Sequence, residues 1–308
     1  MKFYLAPMDN ITDYLYRQIV WRHFPYWDKV YAPFIQPNEK PAIVPKEDYD
    51  ICPGNNQGIP MVPQILTKDS KGFIRVGKIL EDYGYSEINL NLGCPAKPVV
   101  SKEKGSAMLA DTHFLNQFLA DIFSHPWQAK ITVKTRLGLT DNSCFENILE
   151  VFSQYPIDEI IIHPRFRSDF YNGEPRLEEF EKVFSSGTKY YSICYNGNIY
   201  TKEQAEDIIK SYPKLHSIMC GRGAIADPSL IRQLKGGTPM SKEEFKLFHD
   251  DLLSTYGNQN ISERNLLHKM MEMWSYWIKV IKLDTETLSR LRGAKTISEY
   301  HRITSDFL

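Results

Sequence analysis

Gly93-Cys94-Pro95 follows directly on the apolar run Glu87–Leu92, with Asn91 three residues before the cysteine. A glycine lets the backbone turn and a proline fixes its exit, so the Cys94 thiol is left at the end of the run. With a reference pKa of about 8.5, a thiol stays mostly protonated near neutral pH unless basic neighbours lower it. In the first case Cys94 is a proton donor, and in the second a nucleophile. The bland alternative is a small buried apolar filler. The amide of Asn91 can pair with the edge of a nucleobase or a similar ring, or it can simply brace the turn.

Three more polar residues interrupt or end apolar runs. Lys134 sits in Ile131-Thr132-Val133-Lys134-Thr135-Arg136, where alternation puts Thr132, Lys134 and Arg136 on one face. A lysine there is costly to bury unpaired, so it either snorkels to a rim or meets an electron-rich partner such as the polar edge of a flavin. His163 closes the run Glu159–His163, and Gln64 breaks Met61–Leu66 with an amide able to read a pyrimidine-like edge. Asn196-Gly197-Asn198 and Gly221-Arg222-Gly223 pair glycines with polar or cationic groups. Such segments admit backbone N–H groups to a phosphate, and Arg222 adds a charged clamp. Ala224-Ile225-Ala226-Asp227-Pro228 is expected to open a helix aimed at the same anion. Lys97, Lys102 and Lys104, with Arg165 and Arg167, either line a mouth with positive charge or lie in a solvated loop.

What must position these groups is a series of apolar runs: Lys2–Met8, Val30–Ile35, Met61–Leu66, Glu87–Leu92, Ile131–Leu137, Glu159–His163, Tyr190–Asn196 and Ser217–Cys220. Helical periodicity fills most of the gaps between them. Eight strands alternating with helices predict an α/β fold, a closed parallel (β/α)8 TIM barrel. In that fold the C-terminal strand ends carry the active site, and phosphate is commonly held after the last two strands.

The chain has 308 residues, and a barrel takes roughly 250. The barrel is expected over residues 1–235, ended by Gly236-Gly237-Thr238-Pro239. Residues 240–308 read as a small all-helical domain. Ser241-Lys242-Glu243-Glu244 resembles a capping box. Helices are expected over 242–255 and 263–282, with one or two more over 285–303. The middle one carries a stripe from Leu266 to Ile281 wide enough to pack on the barrel and on sister helices together.

A formal net charge of −1 excludes the global signature of a nucleic-acid binder, so such a role needs a local surface. The five cysteines, Cys52, Cys94, Cys144, Cys194 and Cys220, show no zinc spacing or paired pattern. Reduced thiols point to the cytoplasm, and no run reaches membrane-span length. Cys52, Cys144, Cys194 and Cys220 are taken as structural.

Taken together, Ala6-Pro7-Met8-Asp9-Asn10-Ile11-Thr12-Asp13, Asn91–Lys97, Val133–Gly138, Ile162–Arg165 and the two glycine segments resemble the tRNA-dihydrouridine synthase family in order and spacing. The resemblance covers residues 1–230, and the helical region is similar to the family's RNA-binding domain more loosely. It implies an FMN enzyme that reduces uridine in tRNA to 5,6-dihydrouridine, with NADPH supplying electrons. Hydride would pass from N5 of reduced FMN to C6 of the uracil, and Cys94 would protonate C5. Asn91 would hold the uracil, with Lys97 and Arg136 also at the substrate. Pro7, Met8, Asp9 and Gln64 would meet the isoalloxazine, and Lys134 its polar edge. His163, Asn196, Gly197, Asn198, Gly221 and Arg222 would hold the ribityl phosphate end. The implied partners are tRNA and NADPH, with no membrane and no obligate protein partner.

The chain departs from the family pattern at Asn10, where Gly is usual, at Pro164-Arg165-Phe166, where Gly-Arg-Thr is usual, and at Asn198, where Asp is common. The alternative reading is an FMN-dependent small-molecule oxidoreductase of the dihydroorotate dehydrogenase-like type, which shares an Asn…Cys-Pro loop but gives no reason for the helical region. A non-catalytic RNA-binding protein on a retired barrel is a third reading. It leaves Cys94, Lys134 and His163 unexplained.

Overall fold

A computed structural model of the protein describes residues 1–39, 42–140, 145–187 and 191–308. Cys144 and Tyr190 lie outside the described residues. Eight parallel strands close into a barrel in chain order: β1 (Lys2–Leu5), β2 (Lys29–Ile35), β3 (Met61–Ile65), β4 (Glu87–Leu92), β5 (Lys130–Arg136), β6 (Glu159–His163), β7 (Ser192–Tyr195) and β8 (Ser217–Cys220). β8 returns to pair with β1, Leu5 lying opposite Cys220. This is the architecture expected from the apolar runs.

Side-chain alternation explains why the strands read as nearly continuous apolar runs while holding polar groups. In β4, Ile88, Leu90 and Leu92 join the core beneath the helices, and in β5 Ile131 and Val133 do the same. The alternate residues point into the barrel, where Tyr4, Ala6, Tyr31, Val62, Ile161, Cys194 and Met219 form a separate inner core. Register places Gln64 opposite Asn89, Asn89 opposite Thr132, and Asn91 opposite Lys134.

The barrel floor is charged. Lys29 Nζ lies 2.6 Å from Glu87 Oε2 and 3.2 Å from Glu159 Oε2. Tyr31 donates to Glu87 and Tyr4 to Glu159, so the two carboxylates are held by hydroxyls as well as by the shared ammonium. None of this polar floor was expected from the sequence.

Beyond the barrel run helices Lys242–Gly257, Glu263–Trp277, Thr285–Gly293 and Ile297–Ser305. The Ser241 hydroxyl accepts from Glu244 N while Ser241 N donates to the Glu244 carboxylate, the reciprocal capping box expected there. The second helix ends at Trp277, not at 282. Val280 N reaches back only to Trp277 O, tightening the last turn, and Asp284 caps the next helix by accepting from Thr287 N.

The apolar stripe does pack two ways. Trp274 and Trp277 lie edge-on to Phe245 of the preceding helix. Leu266, Met270, Met273, Trp274 and Trp277 belong to the same continuous core as the barrel's outer layer. Phe248 packs on Phe24 at 5.6 Å between ring centres, next to an Arg22–Asp251 ion pair on the helix Tyr14–His23. Among the described residues no helix is long and apolar enough to cross a membrane.

Candidate active site

A cavity of about 420 Å³ opens where the strands end, within the roughly 300–1,000 Å³ usual for small-ligand sites. Its walls bring together Pro7, Met8 and Asp9 after β1, Gln64 of β3, Asn91 of β4 and Cys94 after it, Lys134 and Arg136 of β5, and His163 of β6. Asn196, Gly197 and Asn198 after β7, and Gly221 and Arg222 after β8, complete the ring. Of the residues that the family resemblance places at the site only Lys97 lies outside these walls, exposed at the start of the short helix Lys97–Val100.

Asn91 does brace the turn. Its Oδ1 accepts from Gly93 N and Cys94 N, both at 3.0 Å, while its Nδ2 donates to Gln64 Oε1 at 2.7 Å. The Cys94 carbonyl is gripped from the other side by N and Oγ of Ser106. The sharp conformation belongs to Gly105, at φ +60°, rather than to Gly93; a Cβ on Gly105 would sit 2.9 Å from the Cys94 carbonyl. The thiol itself is partly exposed to the cavity. Burial pushes its pKa up and Asp9 adds to this, while the backbone N–H of Ala96, then Arg136 and Lys134, only partly oppose it, so it remains protonated.

Among the described residues the Lys134 ammonium has no hydrogen-bond partner, and burial, reinforced by Arg136, lowers its pKa to about 8. That is the cost of a cation held ready for a partner. Arg136 is more constrained, donating to the carbonyls of Gly93 and Phe166 and so tying the cysteine loop to β5 and to the segment after β6.

His163 is buried among Lys134, Arg136, Arg165 and Arg222, and burial first, then these cations, holds its pKa well below the usual imidazole range. Arg165 is fully buried. Its guanidinium donates to His163 Nε2 and to the carbonyls of Asn172 and Gly173. Of the two readings left open for Lys97, Lys102, Lys104, Arg165 and Arg167, the basic rim is therefore not what lines the cavity. The lysines sit on an outer loop, Arg165 is consumed inside, and the positive charge of the walls comes from Lys134, Arg136 and Arg222.

Asn198 Oδ1 accepts from both Arg222 and Arg165, and its Nδ2 donates to Glu174. An asparagine thus orders two cations and one carboxylate, which a carboxylate at this position would not do in the same way. Gly223 is a glycine by necessity, since a Cβ there would fall 1.8 Å from the Ile199 carbonyl oxygen. The helix after β8 begins at Arg222, earlier than the expected Ala224, with Gly221 as its cap.

Among the wall residues that were not anticipated are Tyr171, Tyr200, Glu272 and Tyr276. Tyr171 lies under the guanidinium groups of Arg136 and Arg222, at 5.3 and 5.5 Å. Glu272 and Tyr276 come from the helix Glu263–Trp277, so the C-terminal helices form part of the wall. They also hold the loop after β1. Asn10 lies at φ 60°, a conformation that asparagine tolerates better than other non-glycine residues. Lys269 Nζ donates to its carbonyl, and Tyr256 donates to Asp13 Oδ1 at 2.6 Å.

Residues 4–287 match the family described as dihydrouridine synthase (Dus). The tRNA-dihydrouridine(16) synthase of Shewanella oneidensis is 27% identical over 316 residues, covering 98% of this chain and 97% of that protein. The tRNA-dihydrouridine synthase B of Pasteurella multocida is 30% identical over 236 residues, covering 76% of this chain and 69% of its own. Among solved structures, the old yellow enzyme from Trypanosoma cruzi superposes with a TM-score of 0.54 at 9% identity, covering 83% of this chain and 94% of that one. A 2-naphthoyl-CoA reductase gives 0.59 at 12% identity, covering 77% and 50%. At these identities the structures speak for the barrel fold alone.

Proposed function

The chain belongs to the dihydrouridine synthase family, and on that premise we propose that it reduces the C5=C6 bond of uridine in tRNA to 5,6-dihydrouridine, with FMN as cofactor and NADPH as electron donor. The observation that carries the reading is a thiol kept protonated on the wall of a cavity that also holds a spare ammonium and a cationic end.

The residues present suit FMN. Ala6, Pro7, Met8 and Ile199 offer apolar contact for a flat ring system. A Cβ on Gly221 would meet only Ala6 and Met8, the same surface. Gln64 and Lys134 suit the polar edge of the ring. Arg222, ordered by Asn198, and neutral His163 suit the phosphate end together with Asn196, Gly197 and Gly221. When bound and reduced by NADPH, FMN supplies the hydride taken up at C6 of the uracil. Cys94 Sγ gives the proton to C5, and the thiolate left behind is reprotonated from water. Asn91 holds the base from the β4 side, and Arg136 keeps the cysteine loop in place. The uridine must leave the RNA stack to enter. Residues 1–235 act as the catalytic unit, and residues 240–308 grip tRNA by shape and phosphate contacts.

Relatives matched over nearly their full length are named for position 16, which makes uridine 16 the first target to test. The experiment records the visible spectrum of the purified protein, adds NADPH without oxygen, then adds tRNA transcript. A yellow protein that bleaches and is reoxidised by the transcript supports the reading; one that bleaches and ignores tRNA is a small-molecule reductase. A transcript with cytidine at position 16 that still reoxidises the enzyme moves the target elsewhere. Affinity for tRNA falls as salt rises.

A further inference from the structure

A chain of hydrogen bonds runs through the barrel interior from its charged floor to the cysteine loop. Thr132 Oγ1 donates to Glu87 Oε1 at 3.0 Å and accepts from Asn89 Nδ2 at 2.9 Å. Asn89 Oδ1 accepts from Gln64 Nε2 at 2.8 Å, and Gln64 Oε1 accepts from Asn91 Nδ2 at 2.7 Å. Asn91 Oδ1 then takes Gly93 N and Cys94 N. Asn89, Gln64 and Thr132 are wholly buried, so water does not compete for these bonds.

The direction of every bond is dictated from both ends. A carboxylate paired with Lys29 only accepts, so Thr132 must donate downward and accept from above. Backbone N–H groups only donate, so Asn91 must turn its oxygen toward the loop. One polarity satisfies both ends, and each amide between them has a single allowed orientation. The oxygen of Asn91 is then filled by two backbone donors, and one of its N–H groups is used on Gln64. One N–H remains.

We propose that Thr132 and Asn89, anchored on Glu87, are positioning residues that set the polarity of Gln64 and Asn91, so that Asn91 offers the base a donor and selects a pyrimidine bearing a carbonyl where cytosine bears an amino group. This rests on the reading of Asn91 as the base-holding residue. An amino group facing the remaining N–H would set donor against donor. The selectivity for uracil is thus set by residues that never touch the base.

The test uses the FMN-loaded full chain as wild type, Thr132→Val, Thr132→Ser and Asn91→Asp. Thr132→Val keeps the volume and removes the hydroxyl. It should shift the absorption spectrum of the bound flavin and slow single-turnover reoxidation by tRNA about 10-fold, with the half-saturating tRNA concentration unchanged. Thr132→Ser should restore both. A valine variant indistinguishable from wild type, or a serine variant as impaired as valine, overturns the positioning role. Uridine and cytidine 5′-monophosphates are also titrated against the flavin spectrum. Wild type should prefer the uridine nucleotide, and Asn91→Asp, which presents only acceptors, should lower that preference at least about 10-fold. An unchanged ratio, or no preference in wild type, overturns the selectivity. If wild type is not reoxidised by tRNA the proposed function fails, while the spectra and nucleotide ratio still judge the chain of bonds.

Discussion

Arg165 donates from Nε to Nε2 of His163 across 3.2 Å, and that bond decides where the imidazole proton sits. With Nε2 occupied as an acceptor, a neutral ring carries its hydrogen on Nδ1. Nitrogen NMR of labelled protein should show one neutral tautomer from pH 6 to 8. Arg165→Met removes one of the cations that hold the pKa down and should bring protonation back toward the ordinary range. A doubly protonated ring at pH 7 in wild type contradicts the assignment.

Cys94→Ala should retain FMN and tRNA binding and lose turnover by roughly 100- to 10,000-fold, the usual reach of a general acid. Because burial raises the thiol above its ordinary value, the acid form persists through neutral pH. The wild-type reoxidation rate should therefore fall only in alkaline solution, as the thiol ionises, and the residual rate of the alanine variant should lack that limb. Full activity in the alanine variant removes the general-acid role.

Lys134 binds its proton less tightly in the folded protein, with a pKa of about 8 against 10.5 for the ordinary group. Between these values the unfolded chain holds a proton that the folded one has released, so apoprotein stability should rise as pH climbs through that window. Below it the full cost of the buried charge is present. Lys134→Met should be more resistant to denaturant than wild type at pH 7, should lose the alkaline gain, and should bind FMN more weakly. A methionine variant with an unchanged pH profile of stability refutes this account.

Arg222→Ala deletes a charged donor that Asn198 holds in place at 2.8 Å. FMN should dissociate about 10- to 100-fold more readily, the worth of a charged hydrogen bond, as read by fluorescence of released flavin. Untouched occupancy means that the phosphate lies elsewhere.

Much of the barrel was legible because its strands are buried on both faces. The expected bounds Glu87–Leu92, Glu159–His163 and Ser217–Cys220 are those observed. The candidate site was legible for the converse reason, since Gln64, Asn91, Lys134 and His163 are polar residues where an apolar run should continue. The missed features depend on contacts and backbone conformations that no hydrophobic pattern reports. Lys29 looks like a strand flank until two glutamates from other strands close around it. Tyr276 looks like helix surface until its helix folds back over the barrel mouth. Arg165 looks like a rim charge because nothing local announces the carbonyls of Asn172 and Gly173 that capture it. The left-handed backbone of Asn10 was hidden too, although an asparagine in place of a family glycine is the substitution such a backbone best accepts.

Lys269 and Tyr256 fasten the loop after β1 to the C-terminal helices, and that loop supplies Met8 and Asp9 to the cavity. Two surfaces tied through one segment share their free energy. Whatever a cavity ligand gains from a well-seated loop, it returns to the seating of the helices by the same factor, whichever arrives first. Loading the cavity is then also a way of stiffening the helices proposed above to grip tRNA, and a protease should find the linker near Gly236 harder to cut once the cavity is filled.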